Sequence, residues 1–186
     1  MIVTLLLAVA AAGVAVLRGG SLESLAATKF RWSGLLFAGL GGQIAIEMWS
    51  PEWLDEGAGL AVLLLSNALV AGFLAANVHL PGVALAAIGM ALNVIVIAAN
   101  GAMPVSTRAL EKAGFEGDVG DFGTKHELLD EDTRAPWLAD VIPVPYARAI
   151  ISLGDVVLAL GIAQLVYRRT RVETDGKHLA RTDRAS

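Results

Sequence analysis

Five apolar runs dominate the chain, and each is close to the length that decides whether a helix crosses a bilayer. They are Ile2–Leu17, Ser33–Trp49, Gly57–Ala76, Gly82–Ala99 and Tyr146–Tyr167, against the ~17–25 residues that a spanning helix needs. A segment in lipid must pair its backbone groups within itself, so each run is expected to be helical. Composition agrees, because 55% hydrophobic residues and a mean hydropathy of +0.62 exceed what a soluble domain can cover with polar surface. The expected fold is all-α: an integral membrane bundle of five transmembrane helices over residues 1–167. A long outer loop, 100–148, joins helices 4 and 5, and a basic, disordered cytoplasmic tail covers 168–186.

Charge sets the orientation. With the N-terminus outside, the cytoplasm receives Arg18, Lys29, Arg31 and the tail "RRTRVETDGKHLARTDRAS", while "PEWLDEG" lies outside. No Lys or Arg precedes the first run, which a cleaved signal peptide normally requires. Its removal would also invert every later loop, so a retained helix is expected. Trp32 and Tyr167 then mark the inner interface, and Trp49, Trp53 and Tyr146 the outer one. A net charge of −4 argues against nucleic acid as a partner, leaving the lipid bilayer; the six Lys and Arg of the tail read first as a solvated, disordered stop-transfer segment and second as a contact with anionic head groups.

Polar residues within the runs sort by depth. Asn67 and Asn93 fall near mid-bilayer and are expected to bond each other, a contact usually worth less than ~1 kcal/mol. Small pairs such as Ala8 with Ala12, Ala68 with Gly72 and Ala87 with Ala91 permit close helix packing. Asp155, inside "ISLGDVVLALGIA", differs because an ionised acid in lipid costs a few kcal/mol. It should therefore face inward, about two turns below the outer surface and level with Gln43, with Glu47 one turn above Gln43. Arg148 shares its expected helical face and reaches down toward it. Two readings of Asp155 stay open: a pin that caps backbone amides and fastens the loop to the bundle, or a proton or cation site.

The outer loop opens with "NGAMPVS", where Asn100 and Gly101 end the fourth helix and Pro104 forbids its continuation. Ser106 is the expected N-cap of a short helix in "TRALEKA", with Gly114 as its stop. "FEGDVGDFG" lacks the alternating oxygen ligands of a calcium loop. "KHELLDEDTRAPWLADVIPVP" mixes apolar and charged residues and reads as a lid folded over the outer mouth of the bundle. It holds His126, a candidate general base if Asp140 or Asp155 orients it, and otherwise an exposed side chain.

The pieces "RGGSLESLA", "NGAMPVS", "KHELLDEDTRAPWLADVIPVP" and "ISLGDVVLALGIA", in this order between apolar helices, resemble an uncharacterised family of small bacterial multi-pass membrane proteins catalogued as a domain of unknown function. The resemblance implies a multi-helix fold in the bacterial plasma membrane and no particular activity. Signatures of a nucleophile elbow, a zincin helix or a Walker A loop are absent, and there is no cysteine. No catalytic residue, metal or cofactor is therefore assigned. The expected function is that of a binding or accessory protein with an extracytoplasmic polar pocket around Asp155, drawn from Gln43, Glu47, Asn100, His126, Asp140 and Arg148. Its partner would be a small polar solute, a lipid head group or another membrane protein. The alternatives are an interfacial enzyme using His126 as base and a proton- or cation-conducting component.

Overall fold

The computed structural model describes residues 2–48, 56–115 and 126–182. Its elements run α1 (Ile2–Leu17), α2 (Leu22–Ala26), α3 (Ser33–Met48), α4 (Glu56–Ala76), α5 (Val83–Asn100), β1 (Met103–Val105), α6 (Thr107–Lys112), β2 (His126–Leu128), β3 (Ile142–Val144), β4 (Ala149–Ile151) and α7 (Leu153–Thr182). The protein is thus mostly helical, and the five apolar runs coincide with α1, α3, α4, α5 and α7. Among the described residues, two stretches, 57–76 and 83–100, are long and apolar enough by themselves to cross a bilayer. Of the expected bundle of five transmembrane helices, the structure supports the helical character and two candidate spans among the described residues. The apolar part of α3, Ser33–Ala45, is shorter.

The long helices form an open row in the order α1, α7, α5, α4, α3. Their tightest seams are made by glycine. On α5, a Cβ at Gly89 would lie 2.8 Å from the Cα of Leu158 on α7. On α7, a Cβ at Gly161 would lie 2.8 Å from the Cα of Ala86 on α5. Neither contact leaves room for a side chain, so the two antiparallel helices meet backbone to backbone, as small residues permit. Gly39 does the same for α3 against α4, where a Cβ would come within 2.7 Å of the Ser66 carbonyl oxygen. Gly72, one of the residues singled out by small-residue spacing, has only ordinary contact with Leu35. Around the seams, Val70, Phe73, Leu80, Val83 and Met90 form the central core.

At the end of α5, Gly101 takes a left-handed conformation (φ 88°) and its amide bonds the Ile97 carbonyl, which terminates the helix at the expected place. Ser106 caps α6 by accepting a hydrogen bond from the Ala109 amide, and Gly114 (φ 83°) ends that turn. The loop is folded back as a lid. Met103 and Leu138 pack on Leu63, Val96 and Ile97 at the top of α4 and α5. The all-α expectation is corrected here by four strands of three residues each. β1 and β2 pair in parallel, with Val105 opposite Leu128, and β3 and β4 pair antiparallel, with Val144 opposite Ala149. Asp140 joins the first pair through its backbone: its amide donates to the Pro104 carbonyl and its carbonyl accepts from the Ser106 amide.

The last apolar run also starts differently. Pro145–Ala147 form a 3-10 turn, Arg148 adopts φ 43°, and the helix begins only at Leu153. Arg148 therefore shares no helical face with Asp155. At its other end, α7 continues to Thr182, past Tyr167, so much of the expected disordered tail is helical backbone.

Candidate functional site

α7 opens with Ser152, Leu153, Gly154 and Asp155, a Ser-x-x-Asp spacing that suits a reciprocal helix cap. The Asp155 amide donates to Ser152 Oγ (3.0 Å), and the Ser152 amide donates to Asp155 Oδ2 (3.2 Å). Two otherwise orphaned amides are satisfied by one serine and one acid. Asn93 of α5 closes the ring: its Nδ2 donates to Asp155 Oδ1 (2.7 Å), and its Oδ1 accepts from the Ser152 hydroxyl (2.9 Å). Gly154 makes room for this, since a Cβ there would collide with the Asn93 amide. Asn93 lies seven residues before the end of α5, or about 10 Å at 1.5 Å per residue. Although in the first turn of its own helix, Asp155 thus sits two turns below the lid end of its neighbour.

A second polar pair stands across from this ring. Gln43 Nε2 of α3 donates to Asn67 Oδ1 of α4 (3.4 Å), and Asn67 Nδ2 donates to the Leu63 carbonyl (2.8 Å). Asn67 and Asn93 are thus partnered separately rather than with each other. Between the two pairs lies a cavity of about 660 Å³ bounded by α3, α4, α5 and α7. Gln43, Asn67, Asn93 and Asp155 line one end, while residues such as Leu40, Phe73, Met90 and Ile162 line the rest. α3 and α7, which both line it, share no packed interface among the described residues.

The remaining expected site residues are placed as follows. Asn100 bonds the lid rather than the cavity: its Oδ1 accepts from the Arg134 amide (2.7 Å) and its Nδ2 donates to the Arg134 carbonyl (3.0 Å) and to Val96 (2.8 Å). Arg148 donates to the Gly114 carbonyl (3.0 Å) and lies over the Phe115 ring, 5.9 Å from its centre. Asp140 is buried in the lid at 6% exposure. Burial, and then the negative charge of Asp155, push its carboxyl up to about 7. His126 is the first residue of β2 and Glu47 lies in the last turn of α3, but the side chains of both, like residues 116–125 and both Trp49 and Trp53, lie outside the described residues.

The structure therefore gathers Asp155 and Gln43 at one cavity and sends Asn100 and Arg148 elsewhere. Asn93, Ser152 and Asn67 complete the polar end. Of these, Ser152 was signalled in the sequence by its capping spacing to Asp155.

No solved structure matches the chain. Among curated proteins, an uncharacterized protein of Thermotoga maritima is 33% identical over 102 residues, covering 53% of this chain and 58% of the relative. The chain thus spans less than two thirds of that relative's length. A family model, described as a family of unknown function, matches residues 27–167. That stretch holds α3 to α5, the lid and the cavity-lining part of α7, and the chain belongs to this family, DUF5317.

Proposed function

We propose that the protein is a five-pass integral membrane protein of the bacterial plasma membrane. Its N-terminus is outside and its C-terminus cytoplasmic, and it acts as a binding or accessory protein through the cavity between α3 and α7. The observation that carries the binding reading is the cavity itself. Its ~660 Å³ falls in the range of small-molecule sites, and its apolar walls converge on a few polar groups at one end.

Surface character supports the membrane reading. Only 39% and 33% of the apolar stretches in α4 and α5 are buried within the protein, whereas the core helix of a soluble protein is mostly buried. Phe37, Leu65, Ile88 and Ile95 are all more than half exposed on the helices. A large outward apolar surface of this kind needs lipid or a partner. Orientation rests on the basic residues: Arg18 and Arg171 both donate to the Tyr167 hydroxyl (3.0 Å each), at the end of the bundle opposite the lid. Lys29 and Arg31 precede α3 at this same end.

Because the chain has no cysteine, single-cysteine labelling tests this directly. In intact cells, a membrane-impermeant maleimide should label Ala147→Cys, in the lid, and should label Ser24→Cys, in α2, only after permeabilisation. The reverse pattern overturns the orientation, and recovery of the protein in the soluble fraction overturns the membrane assignment. Binding is tested by thermal shift in phosphatidylcholine nanodiscs against single-chain amphiphiles and small polar solutes. At least one class should stabilise the wild type but not Leu40→Trp, which fills the middle of the cavity. If none does, the binding reading fails.

A further inference from the structure

The polarity of the cavity runs along its length. From Ser33 to Gln43 on α3, and from Asp155 to Leu165 on α7, its walls extend ten residues, roughly 15 Å of helix. The four polar side chains Gln43, Asn67, Asn93 and Asp155 all stand at the end nearer the lid, and the remaining wall is apolar except for Ser33 at the far end. The shape is that of a slot for one chain with a head group at a fixed depth.

Charge and hydrogen bonding restrict the head group. Among the described residues, Asp155 is the one charged residue that lines the cavity, and no Lys or Arg lines it. Each Asp155 oxygen takes one bond, from Asn93 Nδ2 and from the Ser152 amide, and a carboxylate oxygen has room for a second. Among the described residues, the Gln43 side chain is engaged only as a donor, to Asn67, which leaves its carbonyl oxygen able to accept. A phosphate or carboxylate head would meet like charge with no cation to offset it. An amine or hydroxyl would find acceptors on both sides. Phe37 of α3 both lines the slot and is exposed at the surface, so an amphiphile can enter sideways past it without its chain leaving an apolar medium.

Building on the binding reading above, we infer that the cavity takes a single-chain amphiphile with a hydrogen-bond-donating, non-anionic head, an amine or a hydroxyl. The head rests among Gln43, Asn67, Asn93 and Asp155, and the chain runs along α3 and α7 toward Phe30 and Leu165. The occupant lies head toward the lid, about two helical turns deeper than the outer ends of the neighbouring helices.

The test uses the full chain in phosphatidylcholine nanodiscs and three probes that differ only in the head: dodecylamine, dodecanol and dodecanoic acid, each with a diazirine at the chain end. The amine or the alcohol should saturate and crosslink to peptides containing Phe30 or Leu165, with the acid at least tenfold weaker. Gln43→Leu, which leaves the Asp155 ring intact, should weaken the preferred probe roughly five- to tenfold, the value of about one hydrogen bond. Equal or tighter labelling of the cavity by the acid overturns the head-group inference and leaves the cavity as a binding site. Labelling confined to outward residues such as Ile88 and Ile95 by all three probes overturns both.

Discussion

The ring of Asn93, Ser152 and Asp155 has a direction that can be reversed by exchanging two residues. As built, Asp155 accepts twice, from Asn93 and from the Ser152 amide, while Asn93 donates to Asp155 and accepts from the Ser152 hydroxyl. In Asp155→Asn, one former acceptor becomes a donor and faces the Asn93 amide. A half-turn of the Asn93 side chain restores the match, with Asn93 Nδ2 donating to the Ser152 hydroxyl. The loss is then of a charge-assisted bond in favour of a neutral one, about 1 kcal/mol. Asn93→Asp is more damaging, because two carboxyls would face each other across the 2.7 Å now spanned by an amide–carboxylate bond. One of them must hold a proton, at a cost of about 4 kcal/mol at pH 7 for a group that ordinarily titrates near 4, and about 1–2 kcal/mol at pH 5. The exchange Asn93→Asp with Asp155→Asn regains a single acid and a matched ring, and should return to within about 1 kcal/mol of the wild type, a coupling of about 4 kcal/mol. Thermal unfolding in nanodiscs, followed by circular dichroism, reads this as a fall of roughly 8–16 °C for Asn93→Asp and of a few degrees for the exchange. An exchange variant as unstable as the two single losses added together would refute the ring as the fastener of α7 to α5.

Two further outcomes follow from residues nearby. The Asp140 carboxyl, raised to about 7 from an ordinary 3.8, holds its proton more tightly folded than unfolded. Its contribution is therefore complete below pH 4 and lost as pH rises toward 7, up to about 4 kcal/mol. The wild-type midpoint should fall between pH 5 and 8, and Asp140→Asn should flatten that slope and be the more stable protein at pH 8. A wild-type slope unchanged in the variant would show that another group is responsible. At the α5–α7 seam, Gly161→Ala sets a methyl 2.8 Å from the Ala86 Cα and should cost about 1–3 kcal/mol by midpoint. Gly41→Ala, with nothing within 4 Å, should be neutral or slightly stabilising.

Much of this architecture was legible residue by residue. Asn100 and Gly101 mark the end of α5, Ser106 the start of α6, and the apolar runs the five long helices, because caps and runs are local features that packing does not need to complete. The strands were not legible. Three residues give no alternation to read, and Pro104 and Pro143 each sit inside one. The true start of α7 was hidden for a related reason: Ala149–Ile151 reads as part of the apolar run, and its pairing with β3 holds it extended. At the site, the inward position of Asp155 could be argued from the cost of a charge in lipid, and its capping role was one of two readings. Its partner could not be named, because the pairing of Asn93 with Asp155, and of Gln43 with Asn67, depends on how each helix is rotated, and that is set by the glycine seams.

The order of the helices also fixes a schedule. α1 packs on α7, so a helix made early takes its main neighbour from one made much later. Until residues 153–170 emerge, α1 has no such neighbour, and the glycine seam of α5 faces whatever surrounds it. Chains are made at roughly 5–20 residues per second, which leaves α1 waiting on the order of ten seconds while α3, α4 and α5 are already able to join. Completion of the helix row is thus an insertion of α7 between two waiting surfaces. A nascent chain arrested after the lid would hold a three-helix unit and a separate first helix, two bodies tied by a loop.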